Sequence, residues 1–413
     1  MTPHGPGQET PIWPEPGLTR VPYALYSDPE VYARERERIF MGRSWNYLAL
    51  ECEIPEYGDY KTTFVGDVPV VVVRDESGDI HGFENRCAHR GALVCLERSG
   101  NAKAMTCVYH AWSYDLTGKL TSVAFEKGVK GGGGMPKDFR REDHRLRPLH
   151  IECFAGIVFG TFAKDIPGVE EYLGPEIAAR VRRVMPKSVK VLGSTTQVLR
   201  NNWKLYIENV KDPYHASILH LFFTTFRINR LNQTGGILVD ESGGHHVSYS
   251  KIEKTDSDDY AAAKLRSDHS DFGLKDPSLL ENRDEFGDGI TLQILSVFPN
   301  LVLQQIQNSL VLRQVLPKGL DRTEVVWTHY GFEDDDDALM TLRQKQSNMV
   351  GPAGYISMED GAVGAFVQRA LPGAAGAATV VQMGGDTAES QTTRATETSV
   401  RGFWKAYRGQ MDI

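Results

Sequence analysis

Short apolar runs separated by turn residues dominate the chain between residues 44 and 160. NYLALE, YKTTFVG and VPVVVVRD are rich in β-branched and aromatic residues and are bounded by Pro, Gly and Asp, which predicts strands. Thr117-Gly118 predicts the turn of a further hairpin. Before them, residues 28–42 carry a capping Asp28 and an apolar side among charged positions, which predicts a helix. The pattern therefore indicates a helix followed by a small all-β domain.

After residue 161, longer helical segments alternate with strand-like runs. Helices are predicted at VEEYLGPEIAARVRRVM, at NNWKLYIENVKDPYHASILHLFFTTF, and at about 336–350, 352–370 and 394–410. Strands are predicted at VKVLGSTTQVL, HHVSYSKI, TLQILSVFP, LVLQQIQNSLVLRQVLP and RTEVVWTHYGF. Long strands of antiparallel type flanked by helices are typical of an α+β domain.

The chain of 413 residues is long enough for two domains, each with its own core. We predict an α+β protein in three parts. Residues 1–43 form an arm and a helix that pack on the larger domain, residues 44–160 form the small all-β domain, and residues 161–413 form the larger α+β domain.

Composition excludes some classes of protein. The net charge of −8 gives no signature of polyanion binding, so nucleic acid is not an expected partner. We find neither an apolar run of membrane-spanning length nor the basic start and apolar segment of a signal peptide, and therefore expect a cytoplasmic protein without membrane contact. Three of the five cysteines, Cys52, Cys95 and Cys153, lie outside any motif and are expected to be buried.

Four metal-binding residues stand in two close pairs. Cys87 and His89 are followed after seventeen residues by Cys107 and His110. A zinc finger more often pairs Cys with Cys and His with His. One Cys and one His in each pair is typical of a two-iron cluster in which two Cys bind one iron and two His bind the other, the Rieske [2Fe–2S] arrangement. Structural zinc is the alternative.

The residues around this motif suit such a cluster. Gly91 permits a close approach of the backbone, Arg90 is expected to balance charge, and Trp112 and Tyr114 are expected to shield the cluster and donate hydrogen bonds. The glycine-rich stretch VKGGGGMPKDF lacks the strand and helix of a dinucleotide site, so we predict a surface loop. Any nicotinamide cofactor is therefore expected to bind another protein.

A second candidate metal site lies in the long helical stretch. Asp212 and His215 share a face of a regular helix, whereas His215 and His220 do not quite. Pro213 disturbs the helix, and a kink or widened turn would bring both imidazoles to one metal. Two His and one carboxylate with open positions form the non-haem Fe(II) oxygenase triad.

The third ligand of this site must come from elsewhere in the chain. In SMEDGAVGAFVQRAL, Asp360 belongs to an apolar stripe with Ile356, Val363 and Val367 at helical spacing. An acid in such a stripe must be paired or metal-bound. Glu359, on the neighbouring face, is the alternative. Asp212 is instead expected to accept the free N–H of His215 and orient that ring.

With both sites in view, the chain resembles the large (alpha) subunits of Rieske non-haem iron aromatic-ring-hydroxylating oxygenases over essentially its whole length. The stretches that carry the resemblance include FENRCAHRGAL, VYHAWSYD, NNWKLYIENVKD, YHASILH, QQIQNS and SMEDGAVG. It implies a Rieske domain and a catalytic domain built on a central antiparallel sheet, of the helix-grip, START-like type.

The resemblance also implies roles for the metal-binding residues. It assigns Cys87, Cys107, His89 and His110 to the [2Fe–2S] cluster. It assigns His215, His220 and Asp360 to a mononuclear Fe(II). Asp212 would join His215 to a cluster histidine of a neighbouring subunit.

Partners are implied as well. The resemblance implies three large subunits with three small beta subunits, α3β3. It also implies a separate reductase that carries flavin and an iron–sulfur centre and takes electrons from NADH.

Within the family, the chain is most similar to members that add both atoms of O2 to terephthalate, giving a cis-dihydrodiol dicarboxylate. An aromatic dicarboxylate needs cationic partners in an apolar cavity, and Arg is suited because its planar fork matches a carboxylate. Taking 301–317 as one strand, Arg313 projects with a polar row of Gln305, Gln307 and Ser309 and is expected to hold one carboxylate. Arg394, with Arg401 as rival, is expected to hold the other, and Ser248 to donate a hydrogen bond.

Other functions stay open. Within the enzyme class, the alternative substrate is a monocarboxylate such as salicylate or anthranilate. Outside it, the alternatives are an electron carrier without mononuclear iron and a zinc-stabilised binding protein.

Overall fold

The computed structural model describes Trp13 and residues 17–252, 259–269, 271–374 and 376–413. Most of the predicted N-terminal arm lies outside these residues. The described α-helices are α1 (Pro29–Glu35), α2 (Val169–Val184), α3 (Trp203–Lys211), α4 (Pro213–Leu219), α5 (Leu221–Thr225), α6 (Asp259–Ala263), α7 (Asp337–Val350), α8 (Ser357–Ala370) and α9 (Thr398–Met411). None of them is long and apolar enough to cross a membrane.

The first half of the chain forms two antiparallel sheets. The strands are β1 (Asn46–Leu50), β2 (Asp59–Val65), β3 (Val68–Arg74), β4 (Ile80–Glu84), β5 (Ser99–Asn101), β6 (Met105–Thr106), β7 (Ser113–Tyr114), β8 (Leu120–Ser122), β9 (Pro148–Phe154) and β10 (Ile157–Thr161). Seven of them pair in the order β1-β10-β9-β4-β3-β2-β5, and β6, β7 and β8 form a small sheet beside them. The predicted turn at Thr117-Gly118 joins β7 to β8.

The second half is built on one antiparallel sheet. Its strands are β11 (Val189–Leu199), β12 (Gly235–Val239), β13 (His246–Ser250), β14 (Leu292–Val297), β15 (Leu301–Ile306), β16 (Ser309–Pro317) and β17 (Thr323–Phe332). They pair in the order β11-β17-β16-β15-β14-β13-β12. Helix α2 packs on one face through Ile177 and Val181, while Trp203 and Ile207 of α3 pack into the core on the other. The predicted α+β class is confirmed.

Three predicted elements differ from the structure. The run 301–317 is a hairpin of β15 and β16, because the chain turns at Gln307, whose φ is 51°. The helix predicted at 352–370 begins only at Ser357, after a turn at Gly354. The long helical stretch is three helices, α3, α4 and α5, which are separated at Asp212 and His220. Cys153 is exposed rather than buried.

Polar contacts join the seven-stranded sheet of the first half to the sheet of the second half. Gln314 of β16 accepts a hydrogen bond from Thr63 Oγ1 (2.8 Å) and donates one to the Tyr47 carbonyl (2.7 Å). The amide of Tyr47 donates to Asn300 Oδ1 at 3.0 Å. These groups are buried, and a buried polar group left unpaired is costly, so the contacts define one arrangement of the two sheets.

Helix α1 is held against the second half by a buried carboxylate. Asp28 caps the helix by accepting from the Glu30 amide at 2.7 Å. Glu35 then accepts from Trp203 Nε1 (2.7 Å), Lys204 Nζ (2.5 Å) and Tyr407 Oη (2.6 Å). Burial lowers the pKa of Lys204, while the Glu35 carboxylate acts in the opposite direction. The contact with Glu35 thus offsets part of the cost of burying Lys204.

We predict that Glu35→Ala destabilises the protein by about 3–5 kcal/mol, because Lys204 is left as a buried charge without its partner. Chemical denaturation of the variant and the parent protein measures this change. Glu37→Ala, at an exposed position two residues farther along the chain, is the matched control and should change stability little. Equal stability of Glu35→Ala and the parent would contradict the prediction.

Candidate active site

Two loops with the same backbone pattern carry the first set of metal-binding side chains. In one loop the Gly91 amide donates to the Cys87 carbonyl at 3.0 Å, and in the other the Ala111 amide donates to the Cys107 carbonyl at 3.0 Å. Gly91 (φ 75°) and Ala111 (φ 52°) both adopt left-handed conformations. Each loop therefore turns back on itself after its Cys by the same backbone hydrogen bond, although His follows Cys by two residues in one loop and by three in the other.

The thiols lie inside and the imidazoles lie outside. Cys87 and Cys107 are buried, whereas His89 is exposed and His110 is half-buried. The rings of His89 and His110 meet edge to face with centroids 4.5 Å apart. Burial and the neighbouring His110 lower the pKa of His89, which favours the neutral imidazole that a metal needs. Two thiols toward the core and two imidazoles toward the surface fit a [2Fe–2S] cluster with one iron on each side.

Aromatic side chains surround this site. Trp112 stacks on His89 with centroids 4.8 Å apart and planes 7° apart. Tyr114 Oη lies 3.3 Å from Cys87 Sγ and accepts from the Ala88 amide at 3.1 Å, so its own proton is free for the sulfur. Arg90 lies over the Tyr109 ring. The glycine-rich loop lies on the surface.

The second set of metal-binding side chains consists of His215, His220 and Asp360. Both imidazoles converge on one oxygen of the Asp360 carboxylate. His215 Nε2 lies 3.3 Å and His220 Nε2 lies 3.2 Å from Asp360 Oδ1. A metal bound at about 2.1 Å by donors at right angles separates two of them by about 3.0 Å. The observed distances fit ligands in adjacent positions around one ion.

The prediction had placed Val367 in a buried stripe with Asp360, but Val367 is exposed.

Two interruptions of the helix bring the imidazoles together. Asp212 (φ −96°, ψ 97°) and His220 (φ −81°, ψ 103°) are both extended, so α4 is a separate helix between them. Pro213 occupies the first position of α4, where no amide donor is needed. A kink or widened turn at Pro213 was expected, but the second break, at His220, was not predicted, and it also turns that ring toward His215. The two rings lie 5.4 Å apart between centroids.

Carboxylates dominate the electrostatics of this set. Burial alone would lower the pKa of His215, but the carboxylates of Asp212 and Asp360 raise it to about 10. Burial opposes ionisation of Asp360, yet His220 and His215 hold its pKa well below the usual range. The site therefore attracts positive charge, which a divalent cation would supply.

Sequence reasoning missed Asn209, one turn before Asp212 on α3. Its Nδ2 donates to Asp360 Oδ1 at 3.1 Å and lies 3.3 Å from His215 Nε2. No spacing rule marks a single amide, because its role depends on the helix that brings Asp360 to it. Glu359, which was weighed as a ligand, lies against His220 Nδ1 on the other side of the ring from Asp360.

A cavity adjoins the second set and is lined mainly by apolar side chains. Leu292, Ile294, Ile306, Phe223 and Ile356 form its walls. Its polar lining, apart from the metal-binding set, includes Asn209, Asn229, Ser248, Gln304 and Arg313. A few polar groups in an apolar cavity are typical of a small-molecule site.

Arg313 reaches this cavity from β16. Its Nη1 donates to Tyr206 Oη at 3.0 Å, and its guanidinium lies over the Trp327 ring. Nε is buried, and no hydrogen-bond partner is found for it in the described part of the chain. Ser309 shares the face of Arg313 as expected, but Gln305 does not, because the turn at Gln307 reverses the chain and Gln304 rather than Gln305 pairs with Val311.

The other two predicted arginines do not line the cavity. Arg394 donates to Asn229 Oδ1 and to the Arg230 carbonyl, so it stands directly behind the lining. Burial lowers its pKa to about 10. Arg401 donates to the carbonyls of Thr387 and Met383, neither of which is among the described residues that line the cavity.

Two families of known proteins match the chain, one in each half. Residues 44–131 match the Rieske [2Fe-2S] domain, and residues 182–413 match the ring hydroxylating alpha subunit (catalytic domain). The chain therefore belongs to the alpha subunits of Rieske aromatic-ring-hydroxylating oxygenases, and the predicted Rieske cluster and mononuclear iron are confirmed as cofactors of this family.

Individual proteins similar to this chain show more closely which kind of oxygenase it is. The chain is 59% identical to the terephthalate 1,2-dioxygenase terminal oxygenase component subunit alpha 2 of Comamonas sp over 95% of each chain. It is 47% identical to the anthranilate 1,2-dioxygenase large subunit of Burkholderia cepacia over 97% of this chain and 95% of the relative. Naphthalene 1,2-dioxygenase from Rhodococcus sp. bound to indole has a similar structure, with a TM-score of 0.78, 26% identity and coverage of 95% and 94% of the two chains. The protein is the oxygenase alpha subunit of an aromatic-ring-hydroxylating dioxygenase.

We predict that Tyr114→Phe lowers the reduction potential of the cluster, because hydrogen bonds to cluster sulfur favour the reduced state. A redox titration followed by electron spin resonance measures the potential. Tyr57→Phe, in the same domain but against Lys103, is the control and should leave it unchanged. An unaltered potential in Tyr114→Phe would contradict the role of this hydroxyl.

Proposed function

We propose that this alpha subunit dihydroxylates terephthalate, adding both atoms of O2 at ring carbons 1 and 2 to give a cis-dihydrodiol dicarboxylate. The observation that carries the proposal is Arg313, a buried cation in an apolar cavity beside the converging His215, His220 and Asp360. A buried guanidinium without a carboxylate partner is costly, and a carboxylated substrate would supply that partner. The relative that is 59% identical acts on terephthalate by name, which supports this choice.

The residues present would hold both cofactors. Cys87, Cys107, His89 and His110 would hold the cluster. His215, His220 and Asp360 would hold the mononuclear iron. When bound, these groups supply electron transfer and oxygen activation. The chain's own contribution is to bind and orient the ring and to exclude water from the cavity.

Arg313 and Arg394 would hold the two carboxylates. Arg313 has an unused Nε at the cavity. For the far carboxylate we favour Arg394 over Arg401, because Arg394 donates to Asn229, a residue of the cavity lining. Ser248 lines the same cavity and would donate a hydrogen bond.

Asp212 would link the two metal centres of neighbouring subunits. Its Oδ2 lies 3.3 Å from His215 Nδ1, and its side chain is 22% exposed, which leaves an edge for a cluster histidine of the next subunit. This role requires a ring of alpha subunits, for which we propose α3β3 with small beta subunits. A reductase with flavin and an iron–sulfur centre would supply electrons from NADH.

A monocarboxylate such as anthranilate or salicylate is the second candidate substrate. One observation favours it: among the described cavity-lining residues, Arg313 is the only Lys or Arg. The anthranilate 1,2-dioxygenase large subunit, at 47% identity, is in keeping with it. A structure with terephthalate bound discriminates between the two, because only the dicarboxylate would draw Arg394 toward the cavity.

We predict that Asp212→Asn retains both metals and loses most turnover. Asn still caps α4, so the fold is kept, but the charge that joins His215 to its neighbour is lost. Metal analysis and oxygen uptake are measured in parallel. Asp28→Asn is the matched control, since Asp28 caps α1 in the same Asp-Pro context. Full activity of Asp212→Asn would remove the bridging role.

We predict that Arg313→Ala raises the Michaelis constant for terephthalate about 10–100-fold, which corresponds to one lost charge-assisted hydrogen-bonding group. Arg313→Lys should recover only part of this, because an ammonium lacks the planar fork. Oxygen-uptake kinetics are measured with terephthalate and with an uncharged aromatic. The exposed Arg322→Ala is the control. A Michaelis constant equal to that of the parent would exclude Arg313 from substrate binding.

A further inference from the structure

The imidazole rings of His215 and His220 each face a carboxylate on both sides. On the inner side both Nε2 atoms face Asp360. On the outer side His215 Nδ1 lies 3.3 Å from Asp212 Oδ2, and His220 Nδ1 lies 2.8 Å from Glu359 Oε2. The contact between His220 and Glu359 is the shorter of the two outer contacts. It has no part in the function proposed above.

Glu359 is placed to orient His220 rather than to bind the metal. The two nitrogens of an imidazole point away from each other, so an oxygen at Nδ1 lies on the opposite side of the ring from a metal at Nε2. Glu359 Oε2 can accept only a proton carried on Nδ1. That tautomer leaves the Nε2 lone pair facing Asp360 and the metal position.

The geometry of the first turn of α8 explains how Glu359 and Asp360, which are consecutive, have different roles. Successive residues of a helix point about 100° apart, so Asp360 can reach inward while Glu359 passes around the outer edge of His220. The Asp360 side chain is 12% exposed and that of Glu359 is 31% exposed. Ser357 Oγ donates to the Val350 carbonyl at 2.9 Å, which holds this first turn against α7.

We propose that Glu359 is a positioning residue that acts through His220, accepting its Nδ1 proton and aiming Nε2 at the iron. The inference rests on the proposed function, because it assumes iron between His215, His220 and Asp360. It gives α8 control of two ligands: Asp360 directly, and His220 through Glu359. In the function proposed above, Asp212 would orient the remaining ligand, His215.

Glu359 allows a cleaner test than Asp212. Asp212 Oδ1 also caps α4 by accepting from the Tyr214 amide at 2.8 Å. For the Glu359 carboxylate, the hydrogen bond to His220 is the one found within the described ranges. The Glu359 side chain is 31% exposed, and Gln has the same shape as Glu, so Glu359→Gln leaves the packing around it unchanged. A change in iron binding can therefore be separated from a change in folding.

The experiment compares Glu359→Gln with the parent protein, both as the full chain loaded with cluster and iron. Release of mononuclear iron to a ferrous chelator is timed, and iron per chain is counted against the cluster signal in electron spin resonance. We expect iron affinity to fall about 10–100-fold, as for other carboxylates that orient a metal-binding His. The cluster signal and the thermal unfolding midpoint of the iron-free protein should not change.

Two further variants complete the test. Met358→Gln alters the neighbouring position of the same turn, which is 59% exposed, and should retain iron like the parent. Glu359→Ala removes the acceptor entirely and should lose iron at least as fast as Glu359→Gln. Iron release at the parent rate in both Glu359 variants would overturn the inference. A parent protein that carries only the two cluster irons would instead overturn the proposed function.

Discussion

The candidate active site depends on a helix that cannot continue. Pro213 has no amide proton, and Asp212 before it is extended, so α3 ends and α4 begins at this point. The Asp212 carboxylate caps the new helix through Oδ1 and faces His215 through Oδ2. A second break at His220 turns that ring toward the first. An unbroken helix would place residues five apart on different faces, and no shared metal position would exist.

The rest of the fold holds this broken segment in place. The large sheet presents Ile294, Ile306 and Arg313 to the cavity, and α8 brings Asp360 to the two imidazoles from the other side. Glu35 joins helix α1 to the residues that begin α3, so the first part of the chain supports the segment that carries the site. Rigid elements thus determine where each polar side chain ends, which is what a site that aims a substrate requires.

Both candidate metal centres have a side chain at or near the protein surface. His89 lies at the surface of the first half, and the Asp212 side chain is partly exposed at the surface of the second. Buried thiols hold the inner side of the cluster position, while the imidazole side is accessible to another chain. This arrangement suits the proposed transfer of electrons between neighbouring subunits.

Many structural features of this protein depend on residues close together in the chain, and the sequence alone was sufficient to predict them. The Cys-x-His and Cys-x-x-His pairs, the Asp-Pro cap and most strands depend on residues close together in the chain, so spacing and turn chemistry predicted them. The prediction that Gln305 shares a face with Arg313 was wrong because a parity argument fails across a turn, and Gln307 reverses the strand direction. The convergence of Asp360 on the imidazoles, the contacts of Asn209 and Glu359, and the place of Arg394 behind Asn229 were decided by tertiary structure alone. These contacts join residues more than a hundred positions apart, and only the packing of helices on the sheet sets the distances between them.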